Sequence, residues 1–104
     1  MTTVTGIAIN PKVYNDIVLN APKPNPAADI THFTVSMGTQ TLVNNAYILI
    51  TDMLGRTIDK RAINLFPGVN ELDYNCSILK TGNYLCTLLV NGVKTGATQS
   101  LIVR

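Results

Sequence analysis

The sequence predicts an all-β domain, an antiparallel two-sheet sandwich of about seven short strands. Three observations carry this. Apolar runs with period-two alternation recur between turn signals spaced roughly 8–12 residues apart, the pattern of sandwich folds. The composition is 46% hydrophobic and only 13% charged, and rich in Val, Ile, Leu and Thr, which suits pleated, half-buried surfaces. No stretch carries a convincing helical period.

Taken in order, Met1–Ile9 alternates weakly, as a leading strand or a tail, and Asn10-Pro11 is a turn signal. Asp16-Ile17-Val18-Leu19 is a short apolar run, a candidate edge strand. Ala21-Pro22-Lys23-Pro24-Asn25-Pro26 follows, with three prolines that rule out a helix and remove three backbone donors. An extended, PPII-like surface segment is expected there, a rigid entry into the first full strand. Asp29–Met37 is that strand, with Phe33, Val35 and Met37 on one face and Thr34 and Ser36 on the other. His32 falls on the polar side, as a surface residue.

Gly38–Asn45 is polar and turn-rich. Ala46–Thr51 is a near-continuous apolar run. It reads as a central strand covered on both faces, or with Tyr47 and Leu49 inward. Asp52-Met53-Leu54-Gly55 makes a hairpin turn, in which Asp52 bonds its own backbone and Gly55 takes a positive φ. Arg56–Asn64 returns as a polar strand, with Ile58 inward and a bulge before Ile63. Its Lys60-Arg61 pair marks a solvated edge.

Pro67-Gly68 is a type II turn signal, and Leu72 and Tyr74 share one face of the next strand. Ser77–Gly82 is a compact crossing whose Ile78 or Leu79 plugs the end of the core. Asn83–Val90 is the second long apolar strand, and Asn91-Gly92 is a type I′ hairpin signal. The last strand, Gln99–Arg104, sets Leu101 and Val103 on one face and Ile102 on the other. The fold-defining turn residues are thus Asp52, Gly55, Gly68, Gly82 and Gly92. Periodicity alone leaves a jelly roll open; the topology expected is immunoglobulin-like.

The 104 residues make one domain, long enough to close a core without metal or disulfides. A net charge of +2 from eight basic and six acidic residues is too weak and scattered for a nucleic-acid surface. No apolar run approaches the ~20 residues of a membrane span, and Met1-Thr2-Thr3-Val4 lacks the basic and apolar regions of a secretory leader. The chain fits a cytosolic protein, or the middle or end of a larger exported one. Cys76 and Cys86 have no zinc-site spacing. Free, partly buried thiols are favoured, with a bridge as the alternative.

Catalytic chemistry finds no constellation. Asp52 is engaged by its turn, Asp59, Glu71 and Asp73 are strand-surface residues, and His32 has no patterned nucleophile. No phosphate loop, dinucleotide fingerprint or acidic calcium loop is present, so neither a cofactor nor a metal is expected. Asn75-Cys76-Ser77 fits a glycosylation sequon formally.

The motifs form an ordered set. Leu19–Pro26, ending in Pro-Asn-Pro, is followed by Thr31-His32-Phe33-Thr34-Val35 and then by Ile48–Arg56, ending in Asp-x-x-Gly-Arg. Pro67-Gly68-Val69-Asn70-Glu71-Leu72, Leu79-Lys80-Thr81-Gly82-Asn83-Tyr84 and the apolar Leu101-Ile102-Val103 complete it. This order resembles the C-terminal sorting domain of type IX secretion substrates, and the likeness runs from about Leu19 to Arg104.

The resemblance implies a non-catalytic signal that directs an exported cargo protein across the outer membrane and is removed by a sortase-like protease. It implies as partners the outer-membrane translocon, that protease and an upstream cargo domain of the same polypeptide, with no nucleic acid and no small-molecule substrate. The route runs through the periplasm to the cell surface or the medium. Residues 1–20 become a leader or linker with a candidate edge strand and the cleavage region, and residues 21–104 the sorting domain. Carried over, Gly82 and Tyr84 match a Gly-x-Tyr motif, Leu101, Ile102, Val103 and Arg104 match the terminal strand, and Lys94 matches a basic residue of the final hairpin. Gln99-Ser100 stand where the family often has Lys. The same sandwich without this likeness reads as an immunoglobulin- or fibronectin-like binding or spacer module of a surface protein.

Overall fold

The computed structural model describes residues 16–39 and 43–104. The expectations for Met1–Ile9 and Asn10-Pro11 fall outside them. Among the described residues there are seven strands: β1 (Ile17–Leu19), β2 (Ile30–Met37), β3 (Ala46–Asp52), β4 (Thr57–Ala62), β5 (Gly68–Asn75), β6 (Gly82–Val90) and β7 (Val93–Val103). They form two antiparallel sheets, ordered β1-β2-β5 and β4-β3-β6-β7. This is an immunoglobulin-like sandwich whose fourth strand pairs with β3, whereas the constant-type domain places it on the sheet of the first, second and fifth strands. A 3₁₀ turn, Cys76–Ile78, makes the β5–β6 crossing.

The core lies between the sheets. Thr31, Phe33, Val35 and Met37 point inward from β2, opposite Ala46, Ile48 and Ile50 of β3, Cys86 and Leu88 of β6, and Leu101 and Val103 of β7. The Phe33 and Tyr74 rings meet at 5.9 Å between centroids. The few polar atoms inside are bonded: Tyr74 donates to Asp59 Oδ2 at 2.8 Å and Thr31 Oγ1 to the Pro24 carbonyl at 2.9 Å. An unmet partner at such sites costs about 1–3 kcal/mol. Burial first, and the Asp59 bond second, push the Tyr74 phenol above its ordinary range. Burial also pushes Asp59 upward, but hydrogen bonds from Tyr74, the Lys60 amide and Arg61 outweigh it and hold the carboxyl low.

Several expectations change in three dimensions. In β3 the inward set is Ala46, Ile48 and Ile50, not Tyr47 and Leu49. The register pairs Ile48 with Leu88 and Ile50 with Cys86, so the inward parity of β6 selects that of β3. Tyr47 is only half-buried and stacks under Lys60, whose Nζ is 4.2 Å from the ring centroid. The bulge of β4 sits at Ile58: Ile50 pairs with Asp59 and Thr51 with Thr57, so Ile58 has no partner and turns outward. Leu79, not Ile78, packs on the core.

The proline segment, with cis bonds at Lys23–Pro24 and Asn25–Pro26, does not stay at the surface throughout: Pro22 and Ala27 are buried at either end. The edge strand at 17–19 forms, with Ile17 and Leu19 in the core. At the Asn91-Gly92 hairpin both residues have positive φ, 53° and 80°, as a type I′ turn demands. Lys60 and Arg61 lie on β4, an outer strand, and His32 is on the exposed face, paired with Asp73.

Cys76 and Cys86 are free and buried. Burial pushes the Cys86 thiol up to about 12, and raises that of Cys76, which donates to the Asp29 carbonyl. Both thiols should therefore resist iodoacetamide at pH 8 in the folded domain and react fully in denaturant, as counted by mass spectrometry. Leu88→Ala should cost about 3 kcal/mol, seen as a lower urea midpoint.

Candidate functional site: the distal end of the sandwich

The antiparallel register sorts the loops to two ends. The Asp16 carbonyl accepts from the Gly38 amide at 2.8 Å, so the chain enters beside the end of β2. The Asn91-Gly92 hairpin shares this entry end, its backbone bonded to Asn45 at 2.9 Å. The opposite, distal end collects the Asp52–Arg56 turn, the Cys76–Thr81 crossing, Asn25–Ala27 and the end of β7.

The sequence landmarks meet there in one row. Asp52 lies opposite Tyr84, and Tyr84 lies opposite Leu101. Asp52 closes its turn by accepting at Oδ1 from the amides of Leu54 and Arg56, both at 2.9 Å. Its Oδ2 accepts from Arg56 Nε at 2.7 Å. Gly55 takes φ +87°, a conformation that L side chains resist. The bond from the Arg56 amide is the largest influence on the Asp52 carboxyl, which sits below its ordinary value; partial desolvation opposes, and the Arg56 side chain and Leu54 amide add to the lowering.

Tyr84 is 8% exposed, and its hydroxyl donates to the Lys80 carbonyl at 2.6 Å. A tyrosine near the start of the sixth strand, bonded to backbone a few residues upstream and two residues before a cysteine, is the tyrosine corner of immunoglobulin-like domains. Tyr84 and Cys86 have that spacing. The Leu79–Tyr84 motif is thus a corner that clamps the crossing onto β6.

A cleft of about 570 Å³ opens at this end, with Asp52, Arg56, Ile58, Ile78, Leu79 and Tyr84 in its walls. Around it the surface is unusually apolar: Met53 is 62% exposed, Leu54 82%, Ile58 43% and Ile78 64%. Arg56 and Lys80 supply positive charge on the walls.

The expected recognition residues divide. Gly82 pairs with Val103 and Tyr84 with Leu101, so the Gly-x-Tyr motif and the terminal strand adjoin. Leu101 and Val103 are core side chains; Ile102 and Arg104 are exposed. Lys94 pairs with Leu89 beside the entry-end hairpin, away from the others. Gly82 lies within β6 rather than in a turn, and a Cβ there would make only ordinary contacts at 4.0 Å. Gly68 opens β5 with φ +110°. Sequence reasoning did not single out Met53, Leu54, Ile58 and Ile78 as one surface. A signal existed for the first pair, two large apolar residues at the tip of a polar turn.

Among the described residues no group of three or more His, Cys, Asp or Glu could hold a metal. His32 is not among the residues lining the distal cleft.

These features define an immunoglobulin-like module with a built distal end. Residues 24–104 match the family described as the secretion system C-terminal sorting domain, and the chain belongs to that family, the sorting domains of type IX secretion. No curated protein and no solved structure matches the chain. Domains of this family are non-catalytic signal modules of exported proteins, bound for the cell surface or beyond.

Tyr84→Phe should lower stability by about 1 kcal/mol, the net value of one hydrogen bond, with an unchanged urea slope. The depressed Asp52 carboxyl has a stated sign. Its contribution is present above the ordinary value of 3.8 and is lost as pH falls through the lower folded value. Asp52→Asn should therefore reduce stability at pH 7 and weaken its fall as pH drops below about 4, as followed by thermal unfolding across pH.

Proposed function

We propose that the folded domain is an address label read at its distal end by the outer-membrane translocon of the type IX pathway, and then removed from its cargo by a sortase-like protease. The observation that carries this is the convergence of Asp52, Tyr84 and Leu101 in one row, at the end opposite the point of chain entry. Cargo joined ahead of Asp16 would leave that end clear. The exposed Met53, Leu54, Ile58 and Ile78 supply an apolar contact for a partner. Gly82, Tyr84, Leu101 and Val103 act in recognition through the fold that they hold; Ile102 and Arg104 offer side chains directly.

The cleavage point lies ahead of β1. Ile17 and Leu19 are core residues paired with β2, so cutting there would require stripping a strand from the sheet. On this reading residues 1–15 carry the scissile bond, and the sorting unit begins at β1. In the periplasm the domain travels folded with its cargo.

Fusion of the chain to a periplasmic reporter, in a bacterium with this pathway, should deliver the reporter to the surface or medium. A folded, intact fusion retained in the periplasm overturns the proposal. Leu54→Glu combined with Ile78→Glu, both on exposed positions, should leave the fold intact by circular dichroism and cut delivery by about tenfold or more. Mass spectrometry of released cargo should place its C-terminus within residues 1–15.

A further inference from the structure

The last strand has an outer edge that is already occupied. β7 is the outermost strand of its sheet, and four backbone groups of Ser100, Ile102 and Arg104 that face away from β6 have partners. Asn25 Nδ2 donates to the Ser100 carbonyl and Asn25 Oδ1 accepts from the Ile102 amide, both at 2.9 Å. The Ala27 amide then donates to the Ile102 carbonyl at 2.8 Å, and the Ala27 carbonyl accepts from the Arg104 amide at 2.9 Å. Two residues thus close four edge groups. Recognition of this stretch by strand addition is blocked while they stay in place.

The chemistry explains the Pro-Asn-Pro sequence. Pro24 and Pro26 have no amide hydrogen, so the segment cannot build an ordinary ladder beside β7. A primary amide carries the same donor and acceptor as a peptide group. Asn25 inserts that pair sideways where its neighbours cannot, and Ala27 resumes backbone pairing as a parallel bridge to Val103. One residue further back, Gln99 Nε2 donates to the Leu19 carbonyl at 2.9 Å and ties β7 to β1.

The other outer strands are protected by different means. β1 has only three residues. β4 carries Asp59, Lys60 and Arg61 with a bulge, and β5 carries Glu71 and Asp73. The first half of β7 has Lys94 and a register shift. Short length, charge and bulges all discourage edge pairing. The Ser100–Arg104 stretch has none of these before its final residue. Its Leu-Ile-Val run has high β propensity and no charge, the composition of a self-pairing segment.

We propose that Asn25 and Ala27 are an edge guard, and that the partner they exclude is the same strand of a second copy of this chain. Ser100–Arg104 would pair antiparallel with its copy across a two-fold axis, extending the β4-β3-β6-β7 sheet through two molecules. The guard keeps the domain monomeric, so that sorting domains crowded in one compartment do not zip together.

The test uses the 104-residue chain as wild type, Asn25→Ala and Asn25→Asp. Size-exclusion chromatography with light scattering reads mass over a concentration series, and hydrogen exchange reads the Ile102 amide. Wild type should be monomeric with Ile102 protected. Folded Asn25→Ala should exchange Ile102 at least about tenfold faster at low concentration, a loss of one hydrogen bond's worth of protection, and should dimerise as concentration rises. In Asn25→Asp the Ser100 carbonyl faces a carboxylate at pH 7 and a protonated hydroxyl donor below about pH 4. Dimers of this variant should therefore dissociate on acidification, which loss of general stability would not produce. A folded Asn25→Ala chain that stays monomeric throughout overturns the proposal, with or without faster exchange at Ile102. If that variant does not fold, Asn25→Asp decides: a mass independent of pH overturns the proposal.

Discussion

The molecule depends on keeping the space between its two sheets dry. Phe33, Val35 and Tyr74 from one sheet meet Ile48, Ile50, Cys86, Leu88, Leu101 and Val103 from the other, all with almost no exposure. Fully burying a side chain of this size contributes about 1.5–3 kcal/mol, so a strand that slips by one residue loses its whole inward set. The same constraint explains the polar contacts. Tyr74, Thr31, Tyr84 and Cys76 enter the interior or its rim only with a bonded donor. It also explains why burial raises both thiols and makes them packing groups.

A sandwich with a dry interior still has ends and edges to close, and this domain closes them unequally. The entry end is stitched by asparagines and backbone, with Asn91 Oδ1 accepting from the Asn44 amide at 2.7 Å. The distal end is held by the Asp52 turn and the tyrosine corner, and leaves large apolar side chains in the open. An interior residue is already spent on stability, whereas Leu54 and Ile78 contribute little to the fold where they stand and are free for a partner. Family membership supplies the role, a secretion signal. The geometry supplies the reason a folded domain, rather than a linear peptide, can serve as one: the landmarks lie far apart in sequence and adjacent in space.

Local chemistry was the most legible part of the chain. Asn91-Gly92 and Asp52-x-x-Gly55 behave as their residue types require, since a turn is decided by four residues and their own backbone. The alternation of β2 and of Leu101-Ile102-Val103 was also plain, because polar and apolar residues take turns there. β3 was ambiguous for the opposite reason: every residue from Ala46 to Ile50 is apolar, so both faces look equally buried. Ile58 misled because its side chain argues for burial, while a bulge, which depends on the pairing with β3, turns it out. Gly82 looked like a turn and is strand.

The sequence by itself determined the number and order of the strands, the Asp52 and Asn91-Gly92 turns and the family, since these rest on local period and on ordered motifs. Only the tertiary structure decided which face of β3 is inside, that β4 joins the sheet of β3, and that Asn25 lies against Ser100 and Ile102, 75 and 77 residues away. Parity and edge pairing are properties of two strands at once. No single stretch of chain contains the information, and the register that brings two stretches together is set by the core they share.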